Sequence, residues 1–204
     1  MAWDTEATRT KLLDAGARQF ARAGFAGARM DAIGRDAGVN KERVYRYFGD
    51  KQGLFSAVLT RELTDLLTGI DVTGTGPERV GEFAGRLYDR CRRRPELPRL
   101  LAWESLELDH AASPDSRRPM CTRNWSGIRS ALPDVSEADA QGLLLAVISL
   151  VVSHWTLGAL RDVIPADPDP DRHRAMLITQ CTGMATATAA AAMADSTGTT
   201  PRPR

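Results

Sequence analysis

Residues 29–51, RMDAIGRDAGVNKERVYRYFGDK, have the pattern of two short helices joined by a tight turn. The pattern predicts a first helix over about residues 30–37 and a second over about residues 41–47. Gly38 lies between them, and glycine suits a chain reversal through the left-handed conformation because it has no Cβ. Gly34 suits the point where the two helices cross, since a small residue lets their backbones approach. This spacing is typical of a helix-turn-helix.

The second predicted helix carries side chains that suit a DNA major groove. Asn40 is expected to cap its start. Cationic groups that can donate to guanine or phosphate, and tyrosine hydroxyls that can reach phosphate, follow at Lys41, Arg43, Tyr45, Arg46 and Tyr47. Lys51 is predicted to open the next helix, where a phosphate would meet its ammonium and free backbone N–H groups. The alternative is an ordinary helical hairpin with a solvated basic face.

Residues 10–59 also contain a recognisable series of motifs. They are Phe20, Gly24-Phe25, Ile33-Gly34-x-x-Ala37-Gly38-Val39, Val44-Tyr45-Arg46-Tyr47-Phe48 and Lys51. In these motifs the chain resembles the TetR family of transcriptional regulators. It departs from the family pattern at Arg29 and Asn40, where members usually have threonine or serine.

The resemblance implies an all-α protein with an N-terminal three-helix DNA-binding domain and a C-terminal helical ligand-binding and dimerisation domain. We place the first domain at residues 1–50, the second at residues 51–194 and a disordered tail at residues 195–204. The family positions imply phosphate contacts from Tyr45, Tyr47 and Lys51, and contacts to bases or flanking backbone from Lys41, Arg43 and Arg46. Arg29 and Asn40 complete the predicted DNA-binding set.

Positive charge is concentrated at the start of the chain. The sequence has 27 basic and 26 acidic side chains, and residues 1–51 contain ten basic against seven acidic. The remainder is slightly acidic, with 17 basic against 19 acidic. This asymmetry is compatible with operator binding, because phosphates are neutralised and counterions released only at the contact surface.

Cysteine and histidine spacing indicates neither a metal site nor a disulfide framework. Cys91, Cys121 and Cys181 are odd in number and far apart, and the three histidines are equally scattered. Buried, reduced thiols are expected, with a redox-sensing cysteine as the alternative. We expect no metal and no cofactor.

Location and solubility are predicted from apolar runs and composition. The first residues lack a charged start followed by an apolar run, so no signal peptide is expected. The longest apolar run, residues 143–152, is too short to span a bilayer. At 43% hydrophobic residues, 204 residues suffice for a real core. The predicted location is cytoplasmic, without a membrane partner.

Apolar residues recur at helical spacing through the rest of the chain. They predict helices over about residues 5–23, 51–67, 78–94, 98–109 and 120–131, a long helix from Ser136 through Leu160, and a last helix over residues 171–194. Loops are predicted at residues 69–77 and 111–119, and a turn at residues 165–170. Arg90, Arg92, Arg93 and Arg94 are interpreted as solvated cations at a helix end, with an anion site as the alternative.

The two last predicted helices point to a homodimer. Residues 143–152 are apolar on all sides, which predicts burial against the helix's own domain and against a partner. The final helix is rich in small residues, which permit close helix approach. Doubled by symmetry, the pair would form the four-helix dimer interface that the resemblance implies.

The predicted function is a ligand-responsive repressor that releases a pseudo-palindromic double-stranded operator when a small molecule binds. Trp103, Trp125, His154 and Trp155 are the candidate ligand-binding residues, although aromatic residues at helical spacing also serve as core. Two alternatives stay open. One is a DNA-binding or architectural protein whose C-terminal domain only dimerises, and the other is a helical enzyme, for which no phosphate loop, nucleophile elbow or paired metal motif is present.

Overall fold

The computed structural model describes residues 2–164 and 169–197, which form ten α-helices and no strand. The helices are α1 Ala2–Gly27, α2 Met30–Ala37, α3 Lys41–Phe48, α4 Lys51–Leu67, α5 Glu78–Arg93, α6 Glu96–Glu107, α7 Pro114–Ala131, α8 Glu137–Thr156, α9 Gly158–Val163 and α10 Pro170–Thr197. The all-α prediction is therefore confirmed.

The chain divides into two compact units, and it passes between them three times. Unit 1 consists of Met1–Leu66 and Arg94–Arg117, and unit 2 of Leu67–Arg93 and Arg118–Arg204. α6 thus belongs to the same unit as the helix-turn-helix and packs against α1, although the sequence assigned it to the second domain. Compact units are defined by packing and not by function, so the domain boundary at residue 50 stays a prediction.

The core of unit 1 is built from the apolar faces of α1, α2, α3 and α4. Three phenylalanines pack together: the Phe20 and Phe55 rings meet edge to face at 4.9 Å, and Phe25 meets Phe55 at 5.3 Å. Completely buried aliphatic side chains surround them, among them Leu12, Ile33, Val44, Leu54, Val58 and Leu59. Burying each such side chain stabilises the fold by roughly 1.5–3 kcal/mol before entropy is counted. The helix-turn-helix is therefore held from behind by a continuous core.

A kink at Gly24 divides α1. Gly24 has φ 74° and ψ 177°, a backbone conformation that a side chain would strain. A Cβ there would also lie 2.6 Å from the Glu107 Oε1 atom of α6. Glu107 Oε2 accepts a hydrogen bond from the Ala26 N–H at 2.6 Å, and the Trp103 indole N–H donates to the Ala21 carbonyl at 3.3 Å. Two side chains of α6 therefore hold α1 at its kink.

Two buried carboxylates of unit 1 each bind an arginine. Both arginines lie at points where the chain passes from one unit to the other. Glu62 on α4 is 2% exposed, and both of its oxygens accept from Arg94 Nη2 at 2.8 Å. Glu104 on α6 is 6% exposed and accepts from Arg117 Nη1 at 2.6 and 2.8 Å. Arg94 is the first residue of unit 1 after α5, and Arg117 is the last before unit 2 resumes. Two of the three crossings thus have, on their unit 1 side, an arginine paired with a buried carboxylate.

Unit 2 packs α10 against α5 and α8. Gly81 and Gly85 on α5 face Ile178 of α10, and a Cβ at Gly85 would lie 2.8 Å from the Ile178 Cδ1 atom. The core is completed by buried residues that include Val80, Phe83, Leu87, Tyr88, Ile128, Val147, Val151, Leu177, Cys181 and Ala185. Gly81 and Gly85 therefore let α5 and α10 approach closely.

Two predicted helix boundaries are wrong. Residues 111–119 were expected to be a loop, yet α7 begins at Pro114 and contains Pro119. Proline is favoured at the first helical position, where its missing N–H would be unpaired anyway. The long helix was expected to continue to Leu160, but α8 ends at Thr156 and Leu157 has non-helical angles of −107° and 41°. Gly158 follows, and glycine is a poor residue for continuing a helix.

Other predicted boundaries are close to the observed ones. Ser136 accepts from the Asp139 N–H at 3.1 Å, which confirms the predicted cap of α8. α10 extends to Thr197, and the rest of the predicted tail lies outside the described residues, as does most of the predicted turn at residues 165–170.

The apolar helix α8 is buried along one side only within this chain. Val147 and Val151 are completely buried, whereas the Leu145 side chain is 67% exposed. By length and composition α8 could cross a membrane, a test that the core helix of a soluble protein also passes. The predicted burial on every side would therefore require a partner.

Candidate functional site

The α2–α3 turn has the geometry that its glycines predict. Gly38 is left-handed, with φ 68° and ψ 30°, and its N–H donates to the Arg35 carbonyl. The Val39 N–H donates to the Gly34 carbonyl at 2.8 Å. A Cβ at Gly34 would lie 2.7 Å from the Val39 carbonyl oxygen. The angle between the two helices therefore depends on the absence of a side chain at Gly34.

Asn40 caps α3 as predicted, because its Oδ1 accepts a hydrogen bond from the Arg43 N–H at 2.9 Å. Arg29 occupies the corresponding position before α2, but its side chain makes no capping bond there. It is exposed instead. The two departures from the family pattern thus differ: one provides a cap and the other leaves a cation at the surface.

Three of the predicted DNA-binding side chains lie exposed along α3: Lys41, Tyr45 and Arg46. The Lys41 ammonium lies 5.8 Å from the centroid of the Tyr45 ring. On the opposite face of α3, Val44 is completely buried. Burial of that face fixes the rotation of the helix and presents the donors outward. We call Lys41, Tyr45 and Arg46 the reader face.

Arg43 and Tyr47 are only partly exposed, and they attach α3 to the start of α1. The Tyr47 hydroxyl donates to the Thr5 carbonyl at 3.2 Å, and Arg43 Nη2 donates to the Thr8 hydroxyl at 3.5 Å. The Arg43 guanidinium also lies 5.9 Å from the centroid of the Tyr47 ring. These two residues support the orientation of the reader face.

Lys51 begins α4 as predicted, and its ammonium is already engaged. Lys51 Nζ donates to the carbonyls of Ala26 and Ala28, both at 3.0 Å, and lies 4.9 Å from the centroid of the Phe25 ring. An ammonium has three N–H donors, so one remains for a phosphate. Asp50 Oδ1 accepts from the Gly53 N–H at 2.7 Å, which uses one amide of the helix start.

Two contributors to this region were not predicted from the sequence. Glu42 is exposed on α3 beside the reader face, and a carboxylate there can accept from a cytosine amino group. Glu42 precedes Tyr45 and Arg46 by three and four residues, and this helical spacing could have predicted that it lies beside them. Glu107 was also missed, because nothing local in the sequence connects it with the kink of α1.

The four candidate ligand residues do not form one site. Trp103 belongs to unit 1 and contacts α1. Trp125 lines a shallow cleft with Ser126, Arg129, Ser130 and Pro133. His154 and Trp155 lie together in unit 2, with ring centroids 4.8 Å apart. The Trp103 indole is bonded to α1, and its role in ligand binding stays a prediction, as do those of the other three residues.

His154 lines the cavity of about 470 Å³ in unit 2, formed by the end of α8, α9 and the start of α10. His173 lies opposite, with the two imidazole centroids 4.6 Å apart. Arg161 Nη1 lies 3.1 and 3.3 Å from the two ring nitrogens of His154. Leu157, Leu160, Ile164 and Met176 provide apolar walls. The cavity therefore combines a polar end with an apolar lining.

Both histidines of the cavity are held in the neutral form. Burial, followed by the Arg161 charge and by His173, lowers the pKa of His154 to about 4. Burial and the Arg161 charge also lower the pKa of His173. Near neutral pH the fixed charge next to the two imidazoles is that of Arg161.

The cysteines are free thiols in distinct settings. Burial raises the pKa of Cys91 to about 12 and that of Cys181 to about 11, which disfavours their thiolates. Cys121 is exposed on α7. Within residues 2–164 and 169–197, no three histidine, cysteine or acidic side chains come together as metal ligands.

Most of the arginine cluster at the end of α5 is bonded within the protein. Arg92 pairs with Asp171 at 3.1 Å, Arg94 binds Glu62, and Arg90 donates to the Thr68 carbonyl at 3.0 Å. Arg93 is exposed. These contacts favour the interpretation as helix-end cations over a separate anion site.

A short helix, a glycine turn and a second helix with exposed donors define the helix-turn-helix class of DNA-binding proteins. Two family models match: that of the bacterial regulatory proteins of the tetR family, over residues 12–58, and that of the tetracyclin repressor-like C-terminal domain, over residues 79–182. The second match alone covers half of the chain. The chain belongs to the TetR family, whose members are DNA-binding transcriptional regulators.

Individual relatives agree with this assignment. The transcriptional repressor SCO4008 of Streptomyces coelicolor is 40% identical over 113 residues, and the match spans 55% of this chain and 57% of that protein. The repressor NicS of Pseudomonas putida is 26% identical over 78% of this chain and 76% of its own. The structure of the regulator SCO4942 from Streptomyces coelicolor aligns with a TM-score of 0.69 and 30% identity, covering 87% of this chain and 97% of that one.

Proposed function

We propose that this chain is a homodimeric repressor that binds a pseudo-palindromic operator and releases it when a small organic molecule binds to unit 2. The observation that carries the proposal is the reader face, with three exposed donors on a helix whose opposite side is completely buried. SCO4008 and NicS are named repressors, and FasR of Mycolicibacterium smegmatis, which matches over 62 residues only, is named an activator; the two longer matches support repression. The proposed location is cytoplasmic.

The roles at the DNA follow from exposure and donor chemistry. Lys41 and Arg46 are exposed on α3 and suit guanine O6 and N7. Tyr45 and the remaining N–H of Lys51 suit phosphate oxygens. Tyr47, if it turns from the Thr5 carbonyl, can do the same. Arg29, Asn40 and Arg43 complete the predicted set, as a surface cation, a cap and a flanking support.

A homodimer would place two reader faces on one side of the duplex. The outer side of α8 carries small and apolar exposed residues, and so does that of α10, where Gly183 and Ala187 are exposed. Pairing these faces about a two-fold axis would bury them. The two α3 helices would then meet half-sites separated by about 34 Å or a multiple of that distance.

Release of the operator requires a connection from unit 2 to the reader face. We propose that it runs through the chain crossings, where buried Glu62 and Glu104 hold Arg94 and Arg117. A shift of α5 or α7 would pull on α4 or α6 through these ion pairs. A hundredfold loss of operator affinity needs about 2.7 kcal/mol of preference for the released conformation, which a few buried ligand contacts can provide.

The direct test is selection of bound sequences from a random DNA pool with the full chain. We expect a pseudo-palindromic consensus and a steep decrease in affinity with salt, because phosphate contacts release counterions. The Arg46→Ala variant should lose the selected preference at one base pair, whereas the Arg93→Ala variant, with its exposed arginine outside the reader face, should not. Binding that shows neither salt dependence nor sequence preference would refute the proposal.

A further inference from the structure

A ring nitrogen of His173, which lines the cavity of unit 2, lacks a hydrogen-bond partner within the described part of the chain. His173 Nε2 is buried and has no hydrogen-bond partner among the described residues. Leaving such an atom unpaired costs roughly 1–3 kcal/mol, so a bound acceptor there would be favourable. The surroundings of neutral His173 decide which of its two ring nitrogens carries the proton. An anion close to Nε2 favours the form that is protonated there. In the Nε2–H form, His173 would donate to a bound acceptor at this position.

Arg161 presents the second donor. Its contacts are with the ring of His154, and within the described part of the chain it makes no ion pair with a carboxylate. A guanidinium has five N–H donors and binds a carboxylate through two of them at once. The polar end of the cavity therefore contains a cation available for such a pair.

Two acidic residues, Asp162 and Asp169, also line the cavity. Asp169 is already used, since its Oδ1 accepts from the Asp171 N–H at 3.0 Å at the start of α10. Asp162 lies on the cavity wall. Neither carboxylate contributes to the lowered pKa values of the two imidazoles, whereas Arg161 contributes to both. Arg161 is therefore the charged group that acts on the two imidazoles.

We propose that this cavity binds a monoanionic amphipathic molecule, a carboxylic acid with an apolar body. The carboxylate would accept from Arg161 and from His173 Nε2, and the apolar body would lie against Leu160, Ile164 and Met176. The inference rests on the proposed ligand-responsive function and adds the chemical class of the ligand. A cavity of about 470 Å³ matches a small organic molecule and not a peptide or polymer.

The test compares three probes that share one body and differ in the head group: 4-phenylbutanoate, 4-phenylbutan-1-ol and 4-phenylbutylammonium. Binding to the full chain is measured by calorimetry at neutral pH. The carboxylate should bind about tenfold or more tightly than the alcohol, because a charge-assisted pair is added, and the ammonium should bind least. Equal or tighter binding of the alcohol or the ammonium would overturn the proposal, and so would the absence of binding by all three.

Variants then locate the site. Arg161→Gln and His173→Phe should each weaken binding of 4-phenylbutanoate by about tenfold or more, with little effect on the alcohol. Arg172→Gln is the matched control, since Arg172 lies one residue from His173 but does not line the cavity. Equal weakening by Arg172→Gln would place the acid elsewhere. Light scattering checks the assembly: an Arg161→Gln variant that becomes monomeric would show that Arg161 holds subunits together instead of a ligand.

Operator binding without any probe separates this inference from the proposed function. If the wild-type chain selects an operator but shows no preference for the acid, only the ligand class is wrong. If it selects no operator yet prefers the acid, the repressor function is wrong and the acid site stands. If 4-phenylbutanoate binds and also dislodges the operator in the wild type but not in Arg161→Gln, both are supported.

Discussion

The exposed sides of α3 and α8 have opposite chemistry. α3 exposes charged and hydroxyl groups, namely Lys41, Glu42, Tyr45 and Arg46, whereas α8 exposes Gln141, Gly142, Leu145, Ala146 and Ser149. Exposed donors remain favourable in water and also suit a polyanion, but a large apolar side chain such as Leu145 is stabilised only when it is covered. The comparison teaches that exposure alone does not identify a partner; the chemistry of the exposed atoms does.

The largest effect is expected at the exposed side of α8. Leu145→Glu should make the protein monomeric and lower operator affinity by at least about a hundredfold, because the second reader face is lost. Light scattering and an operator titration measure both results. Leu106→Glu is the control, since Leu106 on α6 is 76% exposed and lies outside the proposed interface. A dimeric Leu145→Glu variant with normal affinity would show that the subunits pair elsewhere.

A smaller and more specific effect is expected on the reader face. Arg46→Ala or Lys41→Ala should each cost about 1–3 kcal/mol and relax preference at particular base pairs. Tyr47→Phe and Lys51→Ala should instead weaken binding about equally for all sequences. Affinities for the selected operator and its single-base variants measure the difference. If Arg46→Ala behaved like Lys51→Ala, the division into base and phosphate contacts would be wrong.

Substitution at the Gly24 kink of α1 should change the free energy of unfolding more than it changes DNA recognition. Gly24→Ala places a Cβ at φ 74°, against Glu107, and should destabilise the protein by about 1–3 kcal/mol. Gly27→Ala is the control, because a Cβ there would make an ordinary contact of 3.4 Å with Ala23. Chemical denaturation measures both variants. If Gly24→Ala and Gly27→Ala were equally stable, neither the positive φ of Gly24 nor its closeness to Glu107 would require glycine at this position.

The smallest effect is expected on the free energy of unfolding at acidic pH, and it comes from His154 of unit 2. The pKa of His154 falls from 6.5 to about 4 in the folded chain, so between these values the unfolded state binds more protons. Acidification through this window therefore favours unfolding. His154→Gln should lose less stability than the wild type between about pH 6.5 and 4, and His110→Gln, at an exposed histidine, should follow the wild type. Identical pH profiles for all three proteins would contradict the assigned environment of His154.

The sequence predicted local features well and distant contacts poorly. Gly38, the cap at Asn40 and the start of α4 were predicted because each depends on residues three or four apart, where backbone geometry decides. The extent of α7 was not, since Pro114 and Pro119 are also common in loops. The candidate ligand residues were selected by type, and of the four only His154 lines the cavity formed by α8, α9 and α10.

What the sequence determined by itself was the helix-turn-helix and the family to which it belongs, because glycine conformation, capping and helical periodicity act within a few residues. Tertiary structure decided that α6 belongs with unit 1, through Glu107 and Trp103. It also decided that His154 and His173 share one cavity with Arg161. Glu107 is 81 residues from its partner Ala26. His154, Arg161 and His173 are closer in the chain but belong to three helices, α8, α9 and α10, and the packing of these helices brings them together.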